Sequence, residues 1–346
     1  PKYDGFCTVP DHVGYKPVVG KFLNLYEPIG HRPQEGSFPC IRSLVEHIFG
    51  EQYELGMDYM QLLYLYPIQK LPILLLVSEE RNTGKSTFLN FLKAIFQDNV
   101  TFNTNEDFRS QFNSDWAGKL LIMVDEVLLN RREDSERLKN LSTTLSYKVE
   151  AKGKDRNEIG FFAKFVLCSN NEHLPVIIDA GETRYWVRKI YRLESDDTNF
   201  LQKLTAEIPA FLYFLQHRKL TTRQESRMWF SPKLTETPTL QRIIRCNRGK
   251  HEVEAMELIR EIMDNMEIES FSFCLNDLLN LLNLSGVKIE KHQLRRIVTE
   301  SWKLTPAPNG LTYTSYQFAY NKERRFAPIK RVGRFYTVSR TLLDEL

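Results

Sequence analysis

The chain has 346 residues, 42% of them hydrophobic and 26% charged, with a formal net charge of +3, an ordinary composition for a globular protein of two or three domains. Its longest apolar runs fall well short of the roughly 20 residues that cross a bilayer, which excludes a helical membrane role. Five scattered cysteines without a C-x-x-C pair indicate neither a disulfide framework nor a structural zinc site and fit a reducing, cytoplasmic setting best. The chain opens on Pro1 without a signal-peptide pattern and reads as a fragment or a processed form.

Residues 1–66 read as an irregular, Pro-, Gly- and Tyr-rich segment with one short strand in KFLNLY, followed by two helices. Ile41, Leu44, Val45 and Ile48 recur at helical spacing up to Phe49, and a second helix over Met57–Leu65 stops before Pro67. Residues 67–195 alternate apolar strands with helices. ILLLVS, GKLLIMVDE, AKFVLCSNN and YWVRKIYRL are strands, and TFLNFLKAIF is a helix. Strands this apolar throughout predict an α/β fold with a parallel sheet covered on both faces. Residues 196–250 read as a helical connector. In residues 251–346, helices over about 253–266, 275–283 and 290–301 precede a two-stranded ribbon of LTYTSYQF with RFYTVS, the order of a winged-helix module. From Lys288 onward, twelve Lys/Arg stand against five Asp/Glu, a balance that suits a polyanion partner.

The chemistry begins at SEERNTGKST, residues 78–87. Between a buried strand and an apolar helix, the backbone N–H groups of Asn82, Thr83 and Gly84 would face a phosphate chain. Lys85 would reach the β- and γ-phosphates, Ser86 would hold Mg²⁺, and Thr87 would steady the first helical turn. The full phosphate-loop pattern starts on glycine. Here Glu79 stands at that position, so a degenerate, merely structural loop is the competing reading.

Asp125 and Glu126 end a buried strand, which places both acids in the ligand crevice of an open sheet. Asp125 would orient the metal, and Glu126 would accept a proton from the attacking water. Asn170, with Asn171 as substitute, ends another strand and would position that water. Arg184, with Arg188 as rival, would place a guanidinium on a neighbouring subunit's γ-phosphate. YKVEAKGKDRNEIGF reads as a hairpin with Lys152, Lys154 and Arg156 at a tip that would meet a nucleic-acid backbone. In the C-terminal module, Lys291, Arg295 and Arg296 would face outward to DNA, with Leu294, Ile297 and Val298 inward. Arg324, Arg325, Lys330, Arg331 and Arg334 would line the wing. A protein-contacting module is the alternative there.

The order of these parts (loop lysine, DE strand, basic hairpin, strand ending in Asn, arginine before a further strand) resembles superfamily 3 helicases. The closest resemblance is to the ATPase portions of phage- and plasmid-type primase–helicases, over roughly residues 40–195. It implies an AAA-like core assembled as a ring, a hexamer, with ATP and Mg²⁺ between subunits. It also implies a hairpin gripping single-stranded DNA in the central channel, forked or origin DNA as substrate, and a primase domain preceding this segment. The competing functions are a DNA-remodelling or loading ATPase without processive unwinding, and a non-catalytic DNA-binding module with a decayed loop.

Overall fold

The computed structural model describes every residue except 1, 109–115, 117, 130, 150–156, 180, 194–196, 248, 320–324 and 346. Two units emerge: residues 1–178 with 182–243, and residues 179–181 with 244–346.

The first unit opens with three short strands, β1 (Gly5–Cys7), β2 (Val18–Val19) and β3 (Phe22–Asn24), where one was expected; they form a small sheet in the order β1-β3-β2. Helix α1 (Pro39–Phe49) starts on Pro39, whose fixed φ and missing N–H suit a first helical turn, and buries Ile41, Leu44, Val45 and Ile48 as expected. Helix α2 (Tyr53–Leu65) begins four residues earlier than its periodicity predicts, because it is buried on nearly all sides and its buried polar members are satisfied by residues from a distant segment. Asp58 is the clearest case. Fully buried, it accepts hydrogen bonds from Thr221 Oγ1 at 2.9 Å and from Thr222 N and Oγ1, both at 2.7 Å, and pairs with Arg218.

The rest of this unit follows in chain order: β4 (Ile73–Val77), α3 (Lys85–Phe96), β5 (Val100–Phe102), β6 (Leu121–Val124), α4 (Arg132–Thr143), β7 (Ser146–Val149), β8 (Asn157–Gly160), β9 (Lys164–Ser169), β10 (Tyr185–Lys189), α5 (Phe200–His217), α6 (Pro232–Thr235) and α7 (Pro238–Cys246). Strands β10-β4-β9-β6-β5 form one sheet in that order, with every pairing parallel. All of β4 is fully buried, which explains why its sequence is apolar rather than alternating. On one face Leu74, Leu76, Val166, Cys168, Leu121, Met123 and Trp186 join a core built with α1, α2, α3 and α5. On the other, Phe165 packs against Phe108, whose ring lies 5.1 Å from that of Trp116. Strands β7 and β8 pair antiparallel with Val149 opposite Asn157, so the expected hairpin exists; Lys152, Lys154 and Arg156 lie outside the described residues. Among the described residues no helix is long and apolar enough to cross a membrane.

The second unit runs α8 (Lys250–Met266), β11 (Ser270–Phe273), α9 (Leu275–Leu284), α10 (Lys291–Arg296) continued by a π-helical turn over Ile297–Ser301, β12 (Leu311–Phe318), β13 (Phe326–Gly333), β14 (Tyr336–Ser339) and α11 (Arg340–Glu345). The expected pairing of LTYTSYQF with RFYTVS does not occur. Strand β12 pairs with β13, and β14 pairs with β11. The cause is packing: Val338 in β14 is fully buried, and Tyr336 stacks on Phe273 of β11 with ring centroids 5.8 Å apart. Strand β13, interrupted by Pro328 and two cations, carries little alternation to reveal it.

Candidate nucleotide site

Because all five strands run the same way, the segments leaving β4, β6 and β9 emerge at one edge of the sheet, the place where open parallel sheets bind ligands. The loop after β4 turns through Asn82 and Gly84, both left-handed at φ 57° and 79°. Glycine tolerates that region at no steric cost and asparagine tolerates it better than most. His47 Nε2 contacts Thr83 O at 2.9 Å, and Leu193 N donates to Asn82 O at 3.0 Å, so the loop is tied on both sides.

Glu79 does not occupy the loop's interior. Its side chain is 61% exposed beside His173 at 3.2 Å, while its backbone N–H donates to Glu172 Oε1 at 3.1 Å. Residue 79 lies outside the left-handed region, so its backbone does not demand glycine. Glu172, which the sequence reading overlooked, is buried and also accepts from Lys189 at 2.9 Å and Arg242 at 3.3 Å. It joins loop, β10 and α7. Its one sequence signal is its position directly after the SNN of β9.

Lys85 opens α3 almost entirely buried, with its ammonium donating to Thr83 Oγ1 at 3.1 Å. Burial pulls its pKa down, opposed by nearby Cys168, Asp125, Glu172 and Glu126. A cation held in this way gains from an incoming anion. Ser86 Oγ donates to Asp125 Oδ2 at 2.7 Å, so the two predicted metal ligands adjoin and are solvent-accessible. Two hard oxygens fit Mg²⁺, which takes few protein ligands and completes its shell with phosphate and water.

Glu126 is left-handed at φ 61°, a strained conformation of the kind that clusters at functional sites. Its turn is held by Asn105, which donates to Glu126 O at 3.2 Å and accepts from Leu128 N at 2.8 Å. Asn170 Nδ2 donates to Glu126 Oε1 at 3.3 Å. Asn171 is used differently: its Oδ1 accepts from His173 N and Leu174 N, both at 2.9 Å, closing a turn. The structure thus brings Lys85, Ser86, Asp125, Glu126 and Asn170 to one edge.

The arginines separate clearly. Arg188 is buried and engaged with Glu51 Oε1 at 2.6 Å and Phe49 O at 2.7 Å. Arg184 precedes β10, at the edge opposite the loop, and its half-exposed guanidinium meets Glu182 Oε2 at 2.8 Å. It is not brought to its own subunit's loop.

In the second unit, Lys291, Arg295 and Arg296 are exposed, with Leu294 and Val298 buried beneath them. Arg296 pairs with Glu300 at 3.2 Å. Three of the cations assigned to the wing are engaged: Arg325 with Glu261, Arg331 with Asp277 at 3.1 Å, and Arg334 with Ala307 O at 3.0 Å. Lys330 reaches Thr314 Oγ1 at 3.2 Å, and Arg324 lies outside the described residues.

Residues 76–188 match a profile described as "Family of unknown function (DUF5906)". No curated protein matches the chain. Among solved structures, an apo structure of the NrS-1 C-terminal region superposes with a TM-score of 0.65 at 16% identity, over 96% of this chain and 84% of that one. An A-form apo structure of the same region gives 0.63 at 17% identity, over 98% and 85%. A JCV helicase gives 0.35 at 11% identity over 64% and 65%, too loose to carry an argument. The chain therefore shares the fold of the NrS-1 C-terminal region, an α/β fold around a five-stranded all-parallel sheet.

Proposed function

We propose that this chain is the ATP-driven motor of a replication helicase, hydrolysing ATP between subunits of a ring and translocating on single-stranded DNA. The observation that carries this reading is the convergence of a buried lysine, a Ser–Asp pair and a Glu–Asn pair at the C-terminal edge of a parallel sheet. In it, the N–H groups around Gly84 and the ammonium of Lys85 hold the triphosphate. Ser86 and Asp125 would hold Mg²⁺, which supplies charge neutralisation at the phosphates when bound. Glu126 takes the proton of the attacking water, and Asn170 orients that carboxylate and the water. Arg184 serves the neighbouring subunit's site, a role supported by its place away from its own loop and by the burial of Arg188.

The likeness of fold to the NrS-1 C-terminal region supports the architecture. The order α8-β11-α9-α10-β12-β13 supports a winged-helix reading of the second unit, with Lys291 and Arg295 toward DNA and Lys152, Lys154 and Arg156 on the hairpin that grips the strand. ATP hydrolysis with and without single-stranded DNA, and strand displacement on forked DNA, test the proposal against a Lys85→Ala control. Turnover that survives Lys85→Ala sinks it. Lys85-dependent hydrolysis without displacement points instead to a remodelling or loading ATPase.

A further inference from the structure

A cleft of about 770 Å³ opens at the base of the β7–β8 hairpin, away from the nucleotide edge, and no step of the hydrolysis uses it. Leu145, which lines it, is the last residue before β7; its carbonyl accepts from Phe161 N at 2.9 Å and continues the hairpin ladder. One wall is aromatic. Tyr66, half exposed, stacks on Trp229 with centroids 6.3 Å apart and planes 23° from parallel. Trp229 is left-handed at φ 73°, a conformation bulky residues rarely adopt and one that must be imposed by surroundings. Its Nε1 donates to Thr222 Oγ1 at 3.0 Å, and Thr222 is itself anchored on buried Asp58. The platform is thus preorganised.

The lining also carries two cationic residues, Lys70 and Arg227. Lys70 is buried, its ammonium bonded to Phe161 O at 2.7 Å and lying 5.0 Å above the Phe161 ring. Fully buried Lys164 stands behind it, bonded to Pro67 O. Burial draws the Lys70 pKa down to about 8 and that of Lys164 well below its usual value, with Lys70 adding to the latter. Among the described residues neither makes an ion pair, so an anion brought to Lys70 would favour its charged form. Arg227 lines the mouth, exposed. The lining's one acid among the described residues, Asp11, is occupied by the N–H groups of Val13 at 3.0 Å and Gly14 at 2.8 Å.

A stacking platform and cations lining one cleft of this volume suit a nucleotide unit: a planar base for the aromatics and a phosphate for Lys70 and Arg227. We infer that this cleft takes one nucleotide of a single-stranded nucleic acid, with its base on Tyr66 and Trp229 and its phosphate toward Lys70 and Arg227. The inference rests on the motor reading for the identity of the polymer, but not on ATP hydrolysis.

The test measures binding of a fluorescein-labelled oligothymidylate to the full chain without nucleotide, across a salt series, for wild type, Tyr66→Ala and Arg227→Glu. Both side chains are exposed, and thermal melts confirm folding. Tyr66→Ala should weaken binding by roughly 5- to 150-fold, the range of base–aromatic stacking. Arg227→Glu should weaken it and flatten the salt dependence by about one phosphate contact. An oligothymidylate carrying iodouracil should crosslink to peptides holding Tyr66 or Trp229. Affinities within about twofold of wild type in both folded variants overturn the inference. So does loss of self-association at unchanged affinity, which makes the cleft a subunit contact. Neither result touches the motor reading, which stands or falls on Lys85.

Discussion

Replacing Glu79 with glycine restores the residue that the phosphate-loop pattern has at that position, and the structure states what this should do. The Glu79 side chain is mostly exposed, and its contact with His173 is a surface pair, of a kind worth about 0–1 kcal/mol. Glycine adds backbone freedom costing about 0.5–1 kcal/mol, so Glu79→Gly should destabilise by about 0.5–2 kcal/mol. Repulsion between an exposed carboxylate and a phosphate is about 1 kcal/mol per unit charge even at contact distance in bulk water. The KM for ATP should therefore fall by no more than about fivefold. Gly84→Ala is the counterpart. At φ 79° a side chain costs about 1–2 kcal/mol, and the added Cβ meets Leu193 Cδ1 at an ordinary 3.4 Å, so the penalty is conformational and falls on the loop itself. Steady-state hydrolysis with parallel melts distinguishes the two. A tenfold rise in kcat/KM for Glu79→Gly, or wild-type activity for Gly84→Ala, would refute the view that the needed glycine is 84 rather than 79.

Glu126→Gln should bind ATP normally and lose hydrolysis by at least about 100-fold, the contribution of a positioned general base; a fluorescent ATP analogue and a phosphate-release assay read both. Arg184→Ala should melt like wild type, lose 10³-fold or more in turnover as an arginine finger does, and regain activity when mixed with Lys85→Ala subunits. Arg188→Ala should instead destabilise by about 1–3 kcal/mol, since Phe49 O loses its buried donor. Asp58→Asn should cost about 3–5 kcal/mol by leaving Arg218 short of its buried counter-charge. Burial raises the Asp58 pKa, but the bonds from Thr222, Arg218 and Thr221 outweigh it and hold the carboxyl below its usual range. That stabilisation is present above the unfolded value near pH 4 and is lost as pH falls through the lower folded value. Wild-type melting temperature should therefore drop steeply below roughly pH 4 while Asp58→Asn changes less.

The strands that build the site were legible because each is a fully buried apolar run ending in polar residues: LPILLLVS, GKLLIMVDE and AKFVLCSNN. Parallel pairing follows from that pattern, and with it the meeting of Lys85, Asp125 and Asn170. Strand β5 was not legible, since three residues carry no period, and α4 was hidden by a polar sequence in which only Leu138 and Leu141 supply buried apolar contacts. The β12–β13 pairing was missed because Pro328 and the exposed cations of β13 erase its alternation. Glu172 and Asn105 act through hydrogen bonds to residues distant in the chain, which leave no trace in local sequence. The choice between Arg184 and Arg188 turned on Glu51 and Phe49, more than 130 residues away in the chain.

Strands β4 and β9 each join two chemistries. At the C-terminal ends lie the phosphate loop and Asn170; at the N-terminal ends lie Lys164, which opens β9, and Lys70, three residues before β4. Six residues of extended chain span roughly 20 Å, over which a charge–charge interaction at an effective dielectric of about 20 falls below about 1 kcal/mol. Electrostatics alone thus links the two ends weakly. What joins them is rigid: β4 hydrogen-bonds to β9 from Leu74↔Val166 through Val77↔Ser169, fully buried along its length. A shift of β9 against β4 would move Asn170 relative to the loop and Lys164 relative to Pro67 together, because a close-packed sheet transmits displacement rather than absorbing it. Nucleotide-dependent protection of the β4–β9 amides from hydrogen exchange would report that movement. Protection unchanged by ATP while hydrolysis depends on Lys85 would leave the two edges mechanically separate.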